Sequence, residues 1–395
     1  MCGCASAEEL ATDGALAARA ALIHQRVLTV DTHVDTPLRL VGGKFDIGQR
    51  HDYRQRGGRV DLPRMQDGGL DAIFFAVYMG QGPRTVEGHA KAKDKAKQIF
   101  AAVHQAIRDN QELAELALTP RDANRLEAEG KRAIFIGIEN GYPIGTDLSL
   151  VREYYDLGAR YITICHSRNN EICDSSTDEA AEHHGLSPFG EKVVRQMNRL
   201  GMMVDVSHAS DETFYDVLEI SSAPIIASHS CARALCDHPR NLSDDMLRAL
   251  AQNGGVIQIC ILGSYIKKAE PNPQRDAAMK ELRSQYDDYR SLSEKRKREV
   301  YQQWEAINQK YPESTADVSD VVDHIDHVAQ VAGIDHVGIG TDFDGGGGLA
   351  GCQDVSQLGN ITTELVRRGY TEPQIRKIWG GNLMRVFRQV EQAAR

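Results

Sequence analysis

No run of about 18 apolar residues occurs anywhere in the 395-residue chain, so no segment qualifies as a transmembrane helix. Basic residues are not in excess: 46 Lys and Arg stand against 56 Asp and Glu, a formal net charge of −10. A nucleic-acid binder ordinarily presents a basic face, and this balance argues against one. The cysteines, at positions 2, 4, 165, 173, 231, 236, 260 and 352, form no CxxC pair and no spacing that suggests a disulfide framework. Cys165 and Cys260 fall inside apolar runs, as small buried hydrophobes do, and the set reads as free thiols. Low-complexity tracts are missing, which excludes long disorder. The first twenty residues lack the basic stretch and apolar core of a secretory leader. Gly3-Cys4 reads either as the trimmed end of a lipoprotein leader or as an accident of the gene start.

What is present alternates. With 41% apolar residues the chain can build a sizeable core. Apolar runs at Val27–Asp31, Ala72–Met79, Ala133–Ile138, Tyr161–Cys165, Met203–Val206, Pro224–Ala227, Val256–Leu262 and His336–Gly340 read as eight strands. Helical spacing marks Glu87–Arg108, Leu148–Leu157, Phe189–Leu200, Asp211–Glu219 and Ser243–Gln252 between them, with Ser210 or Asp211 and Ser243 as N-caps. The strand runs are apolar throughout rather than alternating, as in sheets covered by helices on both faces. Eight such units in about 310 residues suit a (β/α)8 barrel. A doubly wound sheet would need a Gly-rich phosphate turn after the first strand, and Asp31-Thr-His-Val-Asp35 is not one. Residues 1–26 read as an N-terminal segment or helix, and 27–395 as one barrel domain. A charged, helix-prone insertion at about 267–315 interrupts the step from the seventh predicted strand to the eighth. Most of it reads as a solvated helical face; a lid, or the contact of a homodimer, is the sharper reading.

The strand ends carry the chemistry. In a β/α barrel the eight βα loops form one rim at the C-terminal ends of the strands, where catalytic groups sit. His33 and Asp35 follow the first strand, Glu139 the third, His166 the fourth, His208 the fifth, His229 the sixth and Asp342 the eighth. On a strand, residues i and i+2 project from one face about 7 Å apart, so His33 and Asp35 can close on one ion. An imidazole with a carboxylate suits zinc or a similar divalent metal. Five residues sort as ligands for two metals: His33 and Asp35 on one, His208 and His229 on the other, and Glu139 bridging both. Paired metals sit about 3.5–4 Å apart and clamp a hydroxide that is nucleophilic near neutral pH. Taken singly, each histidine could be a structural hydrogen-bonder, Glu139 a salt-bridge partner, and Asp342 the cap of the next turn, the role read for Asp344. Independent structural uses would not all select imidazole or carboxylate at one rim. His24, His51, His89, His104, His183, His184, His324 and His327 read as surface residues, and His336 as a stabilising residue at the opposite rim.

These stretches resemble the membrane (renal) dipeptidase family of zinc metallopeptidases, from Asp31 to about Phe387. The motifs are Asp-Thr-His33-Val-Asp35, Gly-Ile-Glu139-Asn-Gly, Tyr-Ile-Thr-Ile-Cys-His166-Ser, Val-Asp-Val-Ser-His208, Ala-Ser-His229-Ser, His-Pro-Arg240-Asn, Gly-Ile-Gly-Thr-Asp342-Phe-Asp-Gly and Gly380-Gly381-Asn382-Leu383. The resemblance implies a hydrolase, a binuclear zinc barrel cleaving dipeptides and tolerating a D-residue at the C-terminal position. It implies the same five ligands, His166 at the oxyanion, Arg240 and Tyr265 in substrate binding, and Asp342 in proton transfer. Related amidohydrolases bridge their metals with a carbamylated lysine on the fourth strand; here that strand ends in His166, and Glu139 supplies the bridge. The disulfides of mammalian relatives do not map onto these cysteines, and the C-terminus has no lipid-anchor tail. The chain therefore reads as a bacterial-type member of the cytoplasm or periplasm, tethered if at all through Cys4.

Two other readings use the same rim. One is a different hydrolase, a lactonase or deaminase. The planar fork of Arg240 discriminates here, because a carboxylate anchor matters for dipeptides and hardly for neutral lactones. The other is a non-hydrolytic family member serving a biosynthetic pathway, against which the intact ligand set and Asp342 weigh.

Overall fold

The computed structural model describes residues 7–55, 57–286, 292–311 and 316–394. Nine parallel strands build it: β1 (Val30–Val34), β2 (Ala72–Tyr78), β3 (Ala114–Leu116), β4 (Arg132–Glu139), β5 (Ala159–Thr163), β6 (Met203–Asp205), β7 (Ile226–Ser230), β8 (Val256–Ile259) and β9 (Val337–Ile339). Pairing runs β1-β2-β4-β5-β6-β7-β8-β9, with β3 added beside β4. The ring closes just past β9, where Asp342 N–H donates to the His33 carbonyl (2.9 Å) and Asp35 N–H to that of Phe343 (2.8 Å). This is the expected (β/α)8 barrel.

The extra strand β3 has no counterpart among the eight predicted runs. It is three residues long, has no β-branched side chain, and pairs only with Arg132–Ile134 at the start of β4. Several boundaries also move, the fourth predicted strand to Ala159–Thr163 and the end of the seventh to Ile259 among them, and two of the shifts matter for the site. The first predicted strand lies three residues further on, because Val27–Thr29 approach the barrel without joining the ladder, which starts at Val30 opposite Ala72. The sixth predicted strand likewise shifts to Ile226–Ser230. His33 and His229 are thus held inside strands rather than in the loops after them. The N-caps are Ser210 and Ser243, whose hydroxyls accept from Thr213 N–H and Met246 N–H.

The barrel interior grades from apolar to polar along the strands. Val30, Phe74, Ala133, Phe135, Tyr161, Met203, Ile226 and Val256 pack together with Leu383 and Phe387 of the C-terminal helix, Asn382–Ala393. Residues of the opposite parity, such as Ile73, Ile134, Ile136, Ile162 and Ile257, pack outward under the helices. Two residues further along the inward face, four of these strands turn polar: Thr163 after Tyr161, Asp205 after Met203, Ser228 after Ile226, Gln258 after Val256. Period-two geometry keeps all of these on the inner face. The apolar half closes the barrel, and the polar half forms the floor of a site.

Helices Pro273–Arg283 and Glu294–Lys310 make up the described part of the charged insertion between β8 and β9; residues 287–291 and 312–315 lie outside the described set, as do Cys2 and Cys4. The N-terminal helix, Ala7–His24, packs against the helix Gly359–Arg367.

Candidate metal centre

Glu139 ends β4 on the inner face, and four imidazoles converge on it. His33 Nε2 lies 3.5 Å from Oε2, while Nε2 of His208, His229 and His166 lies 3.1, 3.5 and 3.6 Å from Oε1. His208 Nε2 and His229 Nε2 are 3.0 Å apart. Asp35 reaches the cluster through His33, its Oδ2 4.0 Å from Nε2. All five expected ligands therefore meet at one point, and His166 and Asp342 join them. Ligand atoms fall within 4.8 Å of one another in three overlapping triads: His33–Glu139–His229, Glu139–His166–His208, and His33–Asp35–Asp342. His229 is as much a neighbour of His33, at 3.9 Å between ring centroids, as of His208. The expected sorting into two separate pairs is thus less sharp than the sequence suggested.

Hydrogen-bond logic fixes the two deepest rings. A hydroxyl has one proton to give. Tyr161 gives its own to the Thr32 carbonyl (3.1 Å), so towards His33 Nδ1, 2.9 Å away, its oxygen accepts and Nδ1 carries the hydrogen. Ser228 gives its proton to Asp205 Oδ2 (2.6 Å), so His229 Nδ1, at 2.8 Å, is likewise the donor. In the neutral rings Nε2 is then a lone pair, and both Nε2 atoms point at the Glu139 carboxylate. Lone pairs facing an anion repel unless a cation lies between them. His33 Nε2, Asp35 Oδ1 and His208 Nδ1 are buried with no hydrogen-bond partner, although buried polar atoms are ordinarily satisfied. Donor chemistry and orphaned atoms together fit a divalent metal bound by nitrogen and oxygen ligands.

The electrostatics agree. Burial pulls the His33 pKa down, but the Glu139, Asp35 and Asp342 carboxylates outweigh it and hold the ring at about 10, so without a metal the cluster keeps a proton in its place. Burial would raise Glu139, but His33, His208 and His229 hold it well below the ordinary range. Burial, then Arg240 or His33, drives His208 and His229 well below 6.5, which leaves them neutral and ready to ligate. Asp342 rises to about 7, chiefly by burial and despite His33, with Glu139 adding to the rise.

Supporting residues were harder to read from sequence. The Asp205 carboxylate accepts from Ser207 N–H (3.0 Å), Ser228 N–H (2.8 Å), the Ser228 hydroxyl (2.6 Å) and the Thr163 hydroxyl. It thereby holds both the turn to His208 and the strand bearing His229. Its signal was a carboxylate inside an otherwise apolar strand, Met202-Met-Val-Asp-Val206. Tyr161 reaches His33 only because Gly137 stands beside it; a Cβ there would lie 2.0 Å from the phenol ring. A Cβ on Gly345 would lie 2.1 Å from Asp35 Oδ2 and 2.2 Å from Asp342 Oδ1, so this turn must be glycine. His208 and Asp342 take positive φ, 72° and 59°, a strained conformation for residues with a Cβ. Asp344 is no simple turn cap: it receives the Thr36 hydroxyl (2.8 Å), Arg39 Nε (3.0 Å) and Arg59 N–H (3.0 Å), tying three loops.

The cluster opens into a cavity of about 540 Å³ lined by Tyr78, His166, His238, Arg240, Leu262, Tyr265 and Asp342 among others. Tyr78 packs edge-on against His166 (centroids 4.9 Å). Arg240 is buried, gives one N–H to the His229 carbonyl (3.0 Å), lies over the Tyr265 ring at 5.3 Å, and keeps Nε without a partner.

Elsewhere the histidine expectations need correction. Of the eight read as surface residues, only His184 is exposed. His24 is buried with its ring nitrogens on Thr362 Oγ1 (2.7 Å) and the Gly68 carbonyl (2.8 Å). His324 is buried between Ala232 N–H (3.0 Å) and the Ile266 carbonyl (2.8 Å). Both lie on buried helix faces, where partners from distant segments satisfy them. His336 bonds the Gly255 carbonyl at the far rim (2.7 Å), as expected. Every described cysteine is a buried free thiol.

Comparison with known proteins bears on the whole chain. The family model for membrane dipeptidase (peptidase family M19) matches residues 17–395. The dipeptidase tcpJ of Claviceps purpurea is 36% identical over 345 residues, 85% of this chain and 70% of that protein. The dipeptidase aclJ of Aspergillus oryzae is 33% identical over 350 residues, covering 87% and 73%. Among solved structures, the probable dipeptidase PvdM from Pseudomonas aeruginosa superposes with a TM-score of 0.82 at 31% identity, covering 96% of this chain and all of that one (100%).

Proposed function

The chain belongs to the membrane dipeptidase family of metallopeptidases, and from that premise we propose that it hydrolyses dipeptides, including those with a C-terminal D-residue, using two zinc ions. His33, Asp35, Glu139, His208 and His229 would hold them. The observation that carries this reading is the Glu139 carboxylate ringed by four Nε2 atoms, two of which, on His33 and His229, belong to rings whose Nδ1–H is bonded on the far side. Zinc bound there supplies Lewis acidity that activates water and polarises a carbonyl.

The chain's own residues supply the rest. Asp342, at the cavity wall beside the cluster, accepts the proton of the attacking water and passes it to the leaving amine. His166, at the cavity wall, donates to the oxygen of the tetrahedral intermediate, a role whose loss typically costs roughly 2.7–4 kcal/mol. Arg240 presents its free Nε–H to the terminal carboxylate of the substrate, and Tyr265 supports the guanidinium from below. A buried charged donor without a partner is costly, and a carboxylate would satisfy it. Holding that carboxylate beside the cluster leaves room for one peptide bond, which favours dipeptides over longer chains.

The test is metal analysis of the purified protein together with turnover of Ala-Ala, Ala-D-Ala, Ala-Ala-amide and a neutral lactone. Two zinc ions per chain and hydrolysis of the free dipeptides alone support the proposal. Equal turnover of the amide or the lactone would remove the carboxylate anchor from it.

A further inference from the structure

The metal cavity has a neighbour. Three of the chain segments that contribute to its wall are 236–240, 262–265 and 342–350. Each also turns towards a second cavity of about 550 Å³, and Leu262 and His238 line both. The glycine turn shows the same division: Gly345 faces the metal cavity and Gly348 the second one. His238 is fixed in this partition, its Nδ1 accepting Arg240 N–H (3.1 Å) and its ring tilted against Tyr265 (centroids 4.5 Å). The second cavity therefore begins directly behind the Arg240–Tyr265 pair. Much of its lining is apolar, including Leu262, Leu349, Ala350 and Ala269. Its charged residues are Asp237, Lys267 and Lys268, of which Lys267 is neutralised by Asp320 at 2.9 Å. Small-molecule sites typically occupy about 300–1,000 Å³. The metal cavity alone meets that need for a dipeptide, so the second space is surplus to a substrate with small side chains.

We propose that this second cavity is the subsite for the side chain of the C-terminal residue, and that the preferred substrates are dipeptides whose C-terminal residue carries a long, mainly apolar side chain. The assignment rests on the dipeptidase reading, because it is Arg240 holding the terminal carboxylate that puts the C-terminal side chain beside Leu262 and His238. Leu262 is then the specificity-determining residue, over which the side chain passes.

The test is kcat/KM of the zinc-loaded protein on dipeptides with N-terminal alanine and C-terminal glycine, alanine, norvaline, norleucine or 2-aminooctanoate. Each methylene that enters an apolar subsite should raise kcat/KM about fourfold. Ala350→Trp, which fills only the second cavity, should lower the ratio of the longest to the shortest substrate at least about tenfold. Ala269→Trp, from a different segment, should do the same if the first variant is unstable. A flat series in the unmodified protein, or a ratio unchanged in both folded variants, overturns the subsite while leaving the dipeptidase reading in place. No turnover of any member overturns that reading and the subsite with it.

Discussion

Asp205→Asn isolates the logic of the metal centre, because it changes no ligand. The new side chain can keep its carbonyl oxygen on the Ser207 and Ser228 amides, so the backbone frame survives. Its amide nitrogen, however, must donate where the second carboxylate oxygen accepted, to the Ser228 and Thr163 hydroxyls. The Ser228 proton is then released and turns to His229 Nδ1, 2.8 Å away. The ring must move its own proton to Nε2, the atom that faces Glu139. A metal now has to reverse that tautomer to bind. Comparable losses of a partner behind a ligating histidine cost about 10–100-fold in affinity, or roughly 1.4–2.8 kcal/mol. Replacing four charge-assisted bonds by neutral ones costs the fold on the order of 2–4 kcal/mol, which leaves a protein of ordinary stability folded. Zinc titration of chelator-treated protein against a competing chromophore measures the affinity. Imidazole nitrogen NMR reads the His229 tautomer, and thermal melts check the fold. Unchanged zinc affinity with His229 still protonated on Nδ1 would refute the reasoning. Ser228→Ala, which leaves Nδ1 without an acceptor but forces no tautomer, should lose less affinity than Asp205→Asn.

Glu139→Gln should lower the content of both metals together, since every imidazole of the cluster faces this one carboxylate; two metals retained, by elemental analysis, would take Glu139 out of the bridge. His166→Ala should keep the metals and lose turnover by about 10²–10³-fold, as an oxyanion donor does; falling metal content would make it a ligand, a role its triad with Glu139 and His208 also permits. Asp342→Asn should depress kcat with little change in KM, whereas Arg240→Ala should raise KM foremost, because the carboxylate it holds is charged in ground and transition states alike; steady-state kinetics on one good dipeptide separates them. Metal uptake should release protons and tighten as pH rises, read by calorimetry in buffers of different ionisation enthalpy, because the metal displaces the proton that Glu139, Asp35 and Asp342 keep on His33 against burial. The sign for the metal-free fold is opposite: a histidine raised from 6.5 to about 10 contributes stability that is complete below pH 6.5 and lost as pH climbs through 10. Melting temperatures of metal-free protein should accordingly fall over that window, and less so for the metal-loaded form.

How far the sequence could be read depended on whether a residue's pattern was local. The barrel was legible because long apolar runs alternate with helical spacing, a signal that needs no tertiary contact. His33, Asp35, Glu139, His166, His208, His229 and Asp342 were legible because a barrel delivers every strand end to one rim, so position along the chain already implies position in space. β3 was not, because three residues of Ala-Glu-Leu carry no period. The histidines were misread in the opposite direction. His24 and His324 sit on amphipathic helices whose inward faces are set by packing, and a lone ring there differs from a surface one only in partners contributed by distant segments, such as Thr362, 338 residues away.

Asp205, Tyr161 and Ser228 mark the limit of that reading. Each belongs to a strand, so composition alone would assign it to the core, and Asp205 does stand as the single polar residue of its apolar strand. Their function is visible only in the direction of one proton. The Tyr161 hydroxyl must find both the Thr32 carbonyl and His33 Nδ1, and it gets there across the space left by the missing side chain of Gly137. No spacing rule connects residues 32, 137 and 161; the shared inner face of β1, β4 and β5 does. The ligands can be found from what they are, but the groups that make them competent can be found only from what lies opposite. A sequence that keeps all five ligands and loses Asp205 or Gly137 would therefore still carry the motif and should bind its metals poorly.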